Sequence, residues 1–220
     1  MLPDFDRAAT VAAQALVDSH IEKLPVRPES VIQTLPNTVL VPYRDVARIL
    51  NVPRDELLVM LDPARDAVTY VMNLSDGRQY YVVAYNQQKS FDRLRFTLAH
   101  ELGHRLLLHN GSRPEAVREA EADHFALHYC CPRAMVALLT RRGIPPLDIN
   151  FINLAGLSPY AIGKYAGCAP SHVDKHLNRI LREQFIGYLD SLFDYGLIVR
   201  EPGPAACPVD MGRFMEGYEE

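Results

Sequence analysis

His100-Glu101-Leu102-Gly103-His104 places two imidazoles and a carboxylate within five residues. On a helix, positions four apart differ by only about 40° around the axis, so His100 and His104 point the same way and can offer two nitrogens to one metal ion. Glu101 projects beside them, where it can accept a proton from an activated water, the arrangement of a zinc hydrolase. In a chain of this composition an accidental H-E-x-x-H has a chance of roughly 1–2%. A catalytic zinc takes three protein ligands and keeps a fourth direction open, so one more side chain must come from elsewhere. Glu119, 15 residues after His104, meets that need if a second helix folds back on the first. Asp123 lies four residues further on and shares that face, from which a carboxylate can hydrogen-bond the far nitrogen of a ligand histidine and fix its tautomer. Glu121, about 200° round the helix from Glu119, is the alternative ligand.

The remaining candidates are less tightly specified. His109 is about 140° off the face of His104 and is expected to end the helix, where an imidazole interacts with the dipole. His124 and His128 are also four apart, but no glutamate follows His124, and a surface or core-edge position is expected for both. The longer signature H-E-x-x-H-x-x-G-x-x-H would need glycine at Leu107 and histidine at Asn110, and is excluded. A developing oxyanion needs a donor opposite the metal, for which Tyr129, Tyr160, Tyr165 and His172 are candidates. Each of them equally suits a core or interface role.

Helical periodicity over Leu94, Leu98, Leu102 and Leu106 predicts the element that carries the motif, from Phe91 to His109, with Ser90 as N-cap. A four-residue loop leads to Pro114, a tolerated first helical residue, and to a second helix from Glu115 to Cys131 that ends at Pro132. So short a loop forces the two helices together. Upstream, alternation from Ala67 to Asn86 around Asp76-Gly77 predicts a β-hairpin. Its strand Arg78 to Tyr85 could offer an edge to an extended substrate. An opening amphipathic helix is expected from Ala8 to Leu24, stopped by Pro25, and two short helices at Tyr43 to Leu50 and Arg54 to Leu61. Beyond Pro145-Pro146, helices are expected over Ser158 to Ala166, Ser171 to Glu183 and a run through Phe193, before a loose Pro/Gly tail from Glu201.

The residues Arg95-Phe96-Thr97-Leu98-Ala99-His100-Glu101-Leu102-Gly103-His104, with Leu108-His109, Glu119-Ala120-Glu121-Ala122-Asp123-His124-Phe125-Ala126 and Pro132, resemble the ImmA/IrrE family of bacterial metallopeptidases. That family shares an R-F-T-x-A-H-E-L-G-H helix and an E-x-x-A-[ND]-x-F-A helix. The similarity spans about Pro25 to Met135 and is strongest in the two helices. It departs after Phe125, where Leu127-His128-Tyr129-Cys130-Cys131 replaces the usual aliphatic run. The resemblance implies an α+β, zincin-like domain with a small sheet on the active-site helix, Zn2+ held by His100, His104 and Glu119, and Glu101 as catalytic base. It further implies cleavage of a helix-turn-helix repressor or similar regulator, in contexts of stress response or mobile elements. The expected organisation is a metallopeptidase domain over residues 1–140, a helical accessory region over 141–200 and a flexible acidic tail over 201–220.

A formal net charge of −4 argues against a general nucleic-acid coat or an anionic-membrane binder. No apolar run approaches the roughly 20 residues that cross a bilayer, and the start of the chain is acidic, so a cytoplasmic protein is expected. Cys130, Cys131, Cys168 and Cys207 contain no C-x-x-C, which suits reduced thiols. Cys207, in the tail, could alternatively reach the metal as an inhibitory ligand. The rival reading is a DNA-binding or metal-dependent sensory module without proteolysis. Residues 158–177 resemble a helix-turn-helix, and Lys175, Arg179 and Arg182 form a basic stripe.

Overall fold

The computed structural model describes residues 1–50, 65–73, 75, 77–141 and 173–194. Helix α1 spans Phe5–Asp18, with the Asp4 carboxylate accepting the Arg7 N–H at 3.0 Å as its N-cap. It stops well before Pro25. The N–H groups of Ser19 and Ile21 turn back onto the carbonyls of Ala15 and Leu16, with His20 at φ +51° between them. A left-handed closure of this kind ends a helix without proline, which is why the expected length to Leu24 is too long. Helix α2, Pro28–Thr34, begins on a proline, and strand β1, Thr38–Pro42, runs straight into α3, Tyr43–Leu50. The Arg54 to Leu61 segment lies outside the described residues.

Strands β2, Ala67–Asn73, and β3, Gln79–Tyr85, form the expected antiparallel hairpin, in register from Ala67 opposite Tyr85 to Asn73 opposite Gln79. Gly77 adopts φ +82° in the turn, a conformation that favours glycine. β1 pairs with β3 in parallel, Thr38 opposite Tyr81 through Pro42 opposite Tyr85, so the sheet order is β1-β3-β2. This corrects the expectation that Arg78 to Tyr85 offers a free edge: β3 is central and its ladder is taken on both sides. Among the described residues the edge strands are β1 and β2, and β2 is the one that lines the cleft. Side chains alternate across β3: Val82 and Ala84 pack with Val41 and Val46, near α3, while Val83 joins the main core.

Helices α4, Phe91–Leu106, and α5, Glu115–Cys130, lie against each other, with Phe96, Leu98, Ala99 and Leu102 buried on one and Ala122, Phe125 and Ala126 on the other. Gly103 permits the approach, since a Cβ there would stand 3.0 Å from the Phe125 ring. Ser90 occupies the N-cap position of α4 without a side-chain hydrogen bond, and Pro114 is the N-cap of α5 rather than its first residue. α4 ends at Leu106 because Leu108 takes φ +56°, so His109 lies beyond the helix. Helices α6, Arg133–Arg141, and α7, Lys175–Asp194, complete the described elements. Asp174 caps α7, its Oδ1 accepting the N–H groups of His176 and Leu177 at 2.8 and 3.1 Å. Leu177, Leu181, Phe185 and Leu189 recur every fourth residue and are buried in the core that holds α1, α2, α4 and α5. One continuous helix thus replaces the two expected between Ser171 and Phe193. The first helix of the expected helix-turn-helix, Cys168, Cys207 and the tail lie outside the described residues. Among the described residues no helix is long and apolar enough to cross a membrane.

Candidate metal centre

The i, i+4 spacing on α4 brings the Nε2 atoms of His100 and His104 to 2.9 Å from each other. From α5, Glu119 sets Oε2 at 3.3 Å from His100 Nε2 and Oε1 at 3.4 Å from His104 Nε2. A tetrahedral ion with bonds of about 2.0–2.1 Å holds its ligand atoms about 3.3 Å apart. Two imidazoles and a carboxylate on such a triangle fit a zinc-type ion in both donor chemistry and spacing. These three are the metal-ligating side chains that come together among the described residues. Glu119 is about half exposed, and all three side chains line a cleft. The cleft, about 530 Å³, is lined by residues of β2, β3, α4 and α5, including Thr69, Val71, Tyr81, Glu101 and Asp123.

Because both histidines turn Nε2 towards Glu119, each has Nδ1 left for a partner that sets its orientation. Asp123 Oδ1 lies 2.8 Å from His100 Nδ1. His109 Nδ1 lies 2.8 Å from His104 Nδ1. Glu101 is almost wholly buried, and Thr69 donates its hydroxyl to Glu101 Oε2 across from the sheet. Burial alone would lower the His100 pKa, but the hydrogen bonds to Asp123 and Glu119 and the charge of Glu101 outweigh it and carry it up to about 9 in the metal-free protein. The same contacts, His100 first and His104 second, hold the Glu119 carboxyl well below the usual range. The site therefore keeps its carboxylate ionised and concentrates negative charge where a cation would sit.

The structure separates the other candidates. Glu121, the alternative ligand, faces away from the triad. Its buried carboxylate receives the Asp4 backbone N–H at 2.7 Å, Arg113 Nη1 at 2.7 Å and His109 Nε2 at 3.0 Å. Burial would raise its pKa, and these donors outweigh that and lower it. His109 is not a dipole partner at the helix end, as its spacing suggests: the Leu108 turn swings its ring back beneath His104, with the side chain 1% exposed. Tyr129 is withdrawn as an oxyanion donor. It continues the Ala122, Phe125, Ala126 stripe into the core, stacks on Phe125 at 5.6 Å and does not line the cleft. Tyr160, Tyr165 and His172 fall outside the described residues. His124 and His128 are buried, their rings 4.7 Å apart, with Phe5 of α1 against His124. Cys130 and Cys131 are buried thiols, and burial pushes Cys130 up to about 12, leaving it unreactive.

Sequence reasoning missed Thr69 and the role of His109. No local pattern says which helix a strand threonine will face, and helical geometry does not apply to a residue beyond a left-handed turn. Arg105, whose guanidinium sits 4.0 Å over the Tyr81 ring, and Arg118 also line the cleft.

An H-E-x-x-H helix, a glutamate from the next helix and a cleft bounded by the edge of a small sheet define a metallopeptidase site. Residues 54–155 match the IrrE N-terminal-like domain of the peptidase M78 family, and the matched part carries His100, Glu101, His104, Glu119 and Asp123, which supports a metallopeptidase. The comparison with curated proteins finds no match.

Proposed function

We propose that the protein is a zinc-dependent endopeptidase, acting in the cytoplasm, whose substrate is a regulator of the helix-turn-helix repressor type. The convergence of His100, His104 and Glu119 with Glu101 alongside carries this reading. Zinc held by these three residues supplies Lewis-acid polarisation of the scissile carbonyl and a water of lowered pKa. Glu101 takes the proton of the attacking water and returns it to the leaving amine. Thr69 binds Oε2 of Glu101, which holds the carboxylate in place and leaves Oε1 for that proton. Asp123 accepts the Nδ1–H of His100 and fixes its ring, so that Nε2 is the nitrogen presented to an ion. The β2 edge that borders the cleft offers backbone donors and acceptors to an extended peptide, the role first expected of Arg78 to Tyr85. The substrate class rests on the family resemblance.

The DNA-binding alternative gains little from α7. Arg179 is spent on Glu183 at 3.3 Å, and the Arg182 Nε is buried. Incubating zinc-loaded protein with the helix-turn-helix regulator encoded beside it, followed by mass spectrometry, tests the proposal. Discrete fragments are expected from the wild type and none from Glu101→Gln. Binding without fragments from either protein would instead make this chain a metal-dependent partner of the regulator.

A further inference from the structure

Two buried side chains near the triad are left unexplained by ligation or proton transfer. The side chains of His109 and Glu121 are each 1% exposed, and neither belongs to the group His100, His104 and Glu119. Burying a carboxylate and an imidazole is costly unless every polar atom finds a partner. Here the partners form one continuous line. His104 Nδ1 meets His109 Nδ1 at 2.8 Å, and His109 Nε2 meets Glu121 Oε2 at 3.0 Å. The same Oε2 takes Arg113 Nη1 at 2.7 Å, and Oε1 takes the Asp4 N–H at 2.7 Å. The backbone sets up the first contact, since the His109 N–H bonds the His104 carbonyl at 3.0 Å across the Leu108 turn. Arg7 pins that turn from α1, donating to the Leu107 carbonyl at 2.9 Å.

Hydrogen-bond polarity fixes the protons along this line. If His104 binds metal through Nε2, that nitrogen carries no hydrogen, and its proton must sit on Nδ1. His104 therefore donates, and His109 Nδ1 can only accept. The proton of His109 then sits on Nε2 and is donated to Glu121, an ionised acceptor whose charge Arg113 balances. We propose that His109 is a positioning residue for the second histidine ligand. It accepts the His104 Nδ1–H and transmits to it the anchorage of Glu121, Arg113 and the segment before α1. The two ligands are thus oriented differently: His100 by a carboxylate directly, His104 through an imidazole backed by a carboxylate. The inference rests on the metal-centre reading above and extends it to residues behind the three ligands.

Cobalt(II) uptake by the full-length protein, followed through the visible ligand-field spectrum and competition with a chromophoric chelator, tests it without reference to activity. His109→Phe removes the acceptor and is expected to weaken binding about 10- to 100-fold and to alter the spectrum. His109→Gln offers one acceptor and one donor in nearly the same places and is expected to recover most of the wild-type affinity and spectrum, which a purely space-filling role would not require. Wild-type affinity and spectrum in His109→Phe would overturn the inference while leaving the metal centre intact. Failure of the wild type itself to bind cobalt would overturn the metal-centre reading, and this inference with it. Should His109→Phe not fold, long-range 15N spectra of the zinc-loaded wild type decide: the Nε2–H tautomer is expected for His109, and an Nδ1–H tautomer would overturn the inference.

Discussion

Glu101 and Asp123 carry the same charge next to the same histidine, yet they should fail in different ways when altered. Glu101 is bonded to Thr69 and faces the cleft, whereas Asp123 is bonded to the outward nitrogen of His100. Glu101→Gln should leave metal stoichiometry unchanged and lower kcat about 100- to 10,000-fold, the usual contribution of a general base. Asp123→Asn should reduce metal affinity about tenfold or more and recover much of its rate in excess zinc. Rate measurements beside metal analysis separate the two, and parallel loss of metal in Glu101→Gln would refute the assignment. At this scale, what periodicity can see was readable from the sequence. His100 with His104, and Glu119 with Asp123 rather than Glu121, follow from angles around single helices. Tyr129 could have been set aside by the same angles, since it continues the stripe of Phe125 and Ala126. His109 and Thr69 could not, because their neighbours are fixed by a left-handed turn and by the packing of a strand on a helix.

Between elements, the α4–α5 contact sets the site's dimensions, because each helix supplies part of the triad. Ala is favoured over Gly within a helix by about 1 kcal/mol. At position 103, however, the added Cβ meets three Phe125 side-chain atoms at 3.0 to 3.1 Å, and Phe125 is wholly buried. Overpacking of this kind costs about 1–3 kcal/mol. Gly103→Ala should therefore lower the urea midpoint and, by pushing Glu119 away from the histidines, weaken metal binding; a more stable variant with unchanged affinity would show that α5 moves freely. The α1–α5 contact carries a pH dependence. Burial first, and the charge of Arg133 second, lower His124 from 6.5 to about 4, and His128 is also well below its ordinary value. At these two positions the unfolded chain takes up protons before the native one, so their contribution to stability is full above pH 6.5 and falls as the pH drops towards 4, opposite in sign to that of His100. For His124 the full effect is on the order of 3 kcal/mol. In urea titrations of apo protein, the drop between pH 7 and pH 5 should be smaller in His124→Leu than in the wild type, and equal drops would count against it. The hairpin and the helix pair were readable because Asp76-Gly77 and the polar break Asn110 to Arg113 are local signals, although the connection runs from Leu107 to Pro114. β1 was not, since five residues show little periodicity and its partner β3 lies some 40 positions away.

Across the whole molecule, the two ends of the described chain close the core behind the site. α7 packs on α1 and α6, Tyr188 donates to the Leu24 carbonyl at 2.9 Å, and Phe185 is fully buried. None of these residues lines the cleft. Phe185→Ala should cost about 3–5 kcal/mol through the cavity it leaves. That is a large share of the 5–15 kcal/mol typical of a folded domain, so a steep loss of cleavage near physiological temperature is expected without any change at the metal. Zinc distinguishes this from damage to the site. An ion that binds only the folded protein stabilises it by mass action, by about 2.7 kcal/mol at 100 times its Kd. Melting curves in apo and zinc-saturated buffer should give similar zinc-induced stabilisation in the wild type and in Phe185→Ala, each from its own baseline, and little in Glu119→Gln. If Phe185→Ala loses the zinc-induced shift while still showing a cooperative melt, the triad depends on α7, and the core behind the site is part of the metal centre rather than only its support.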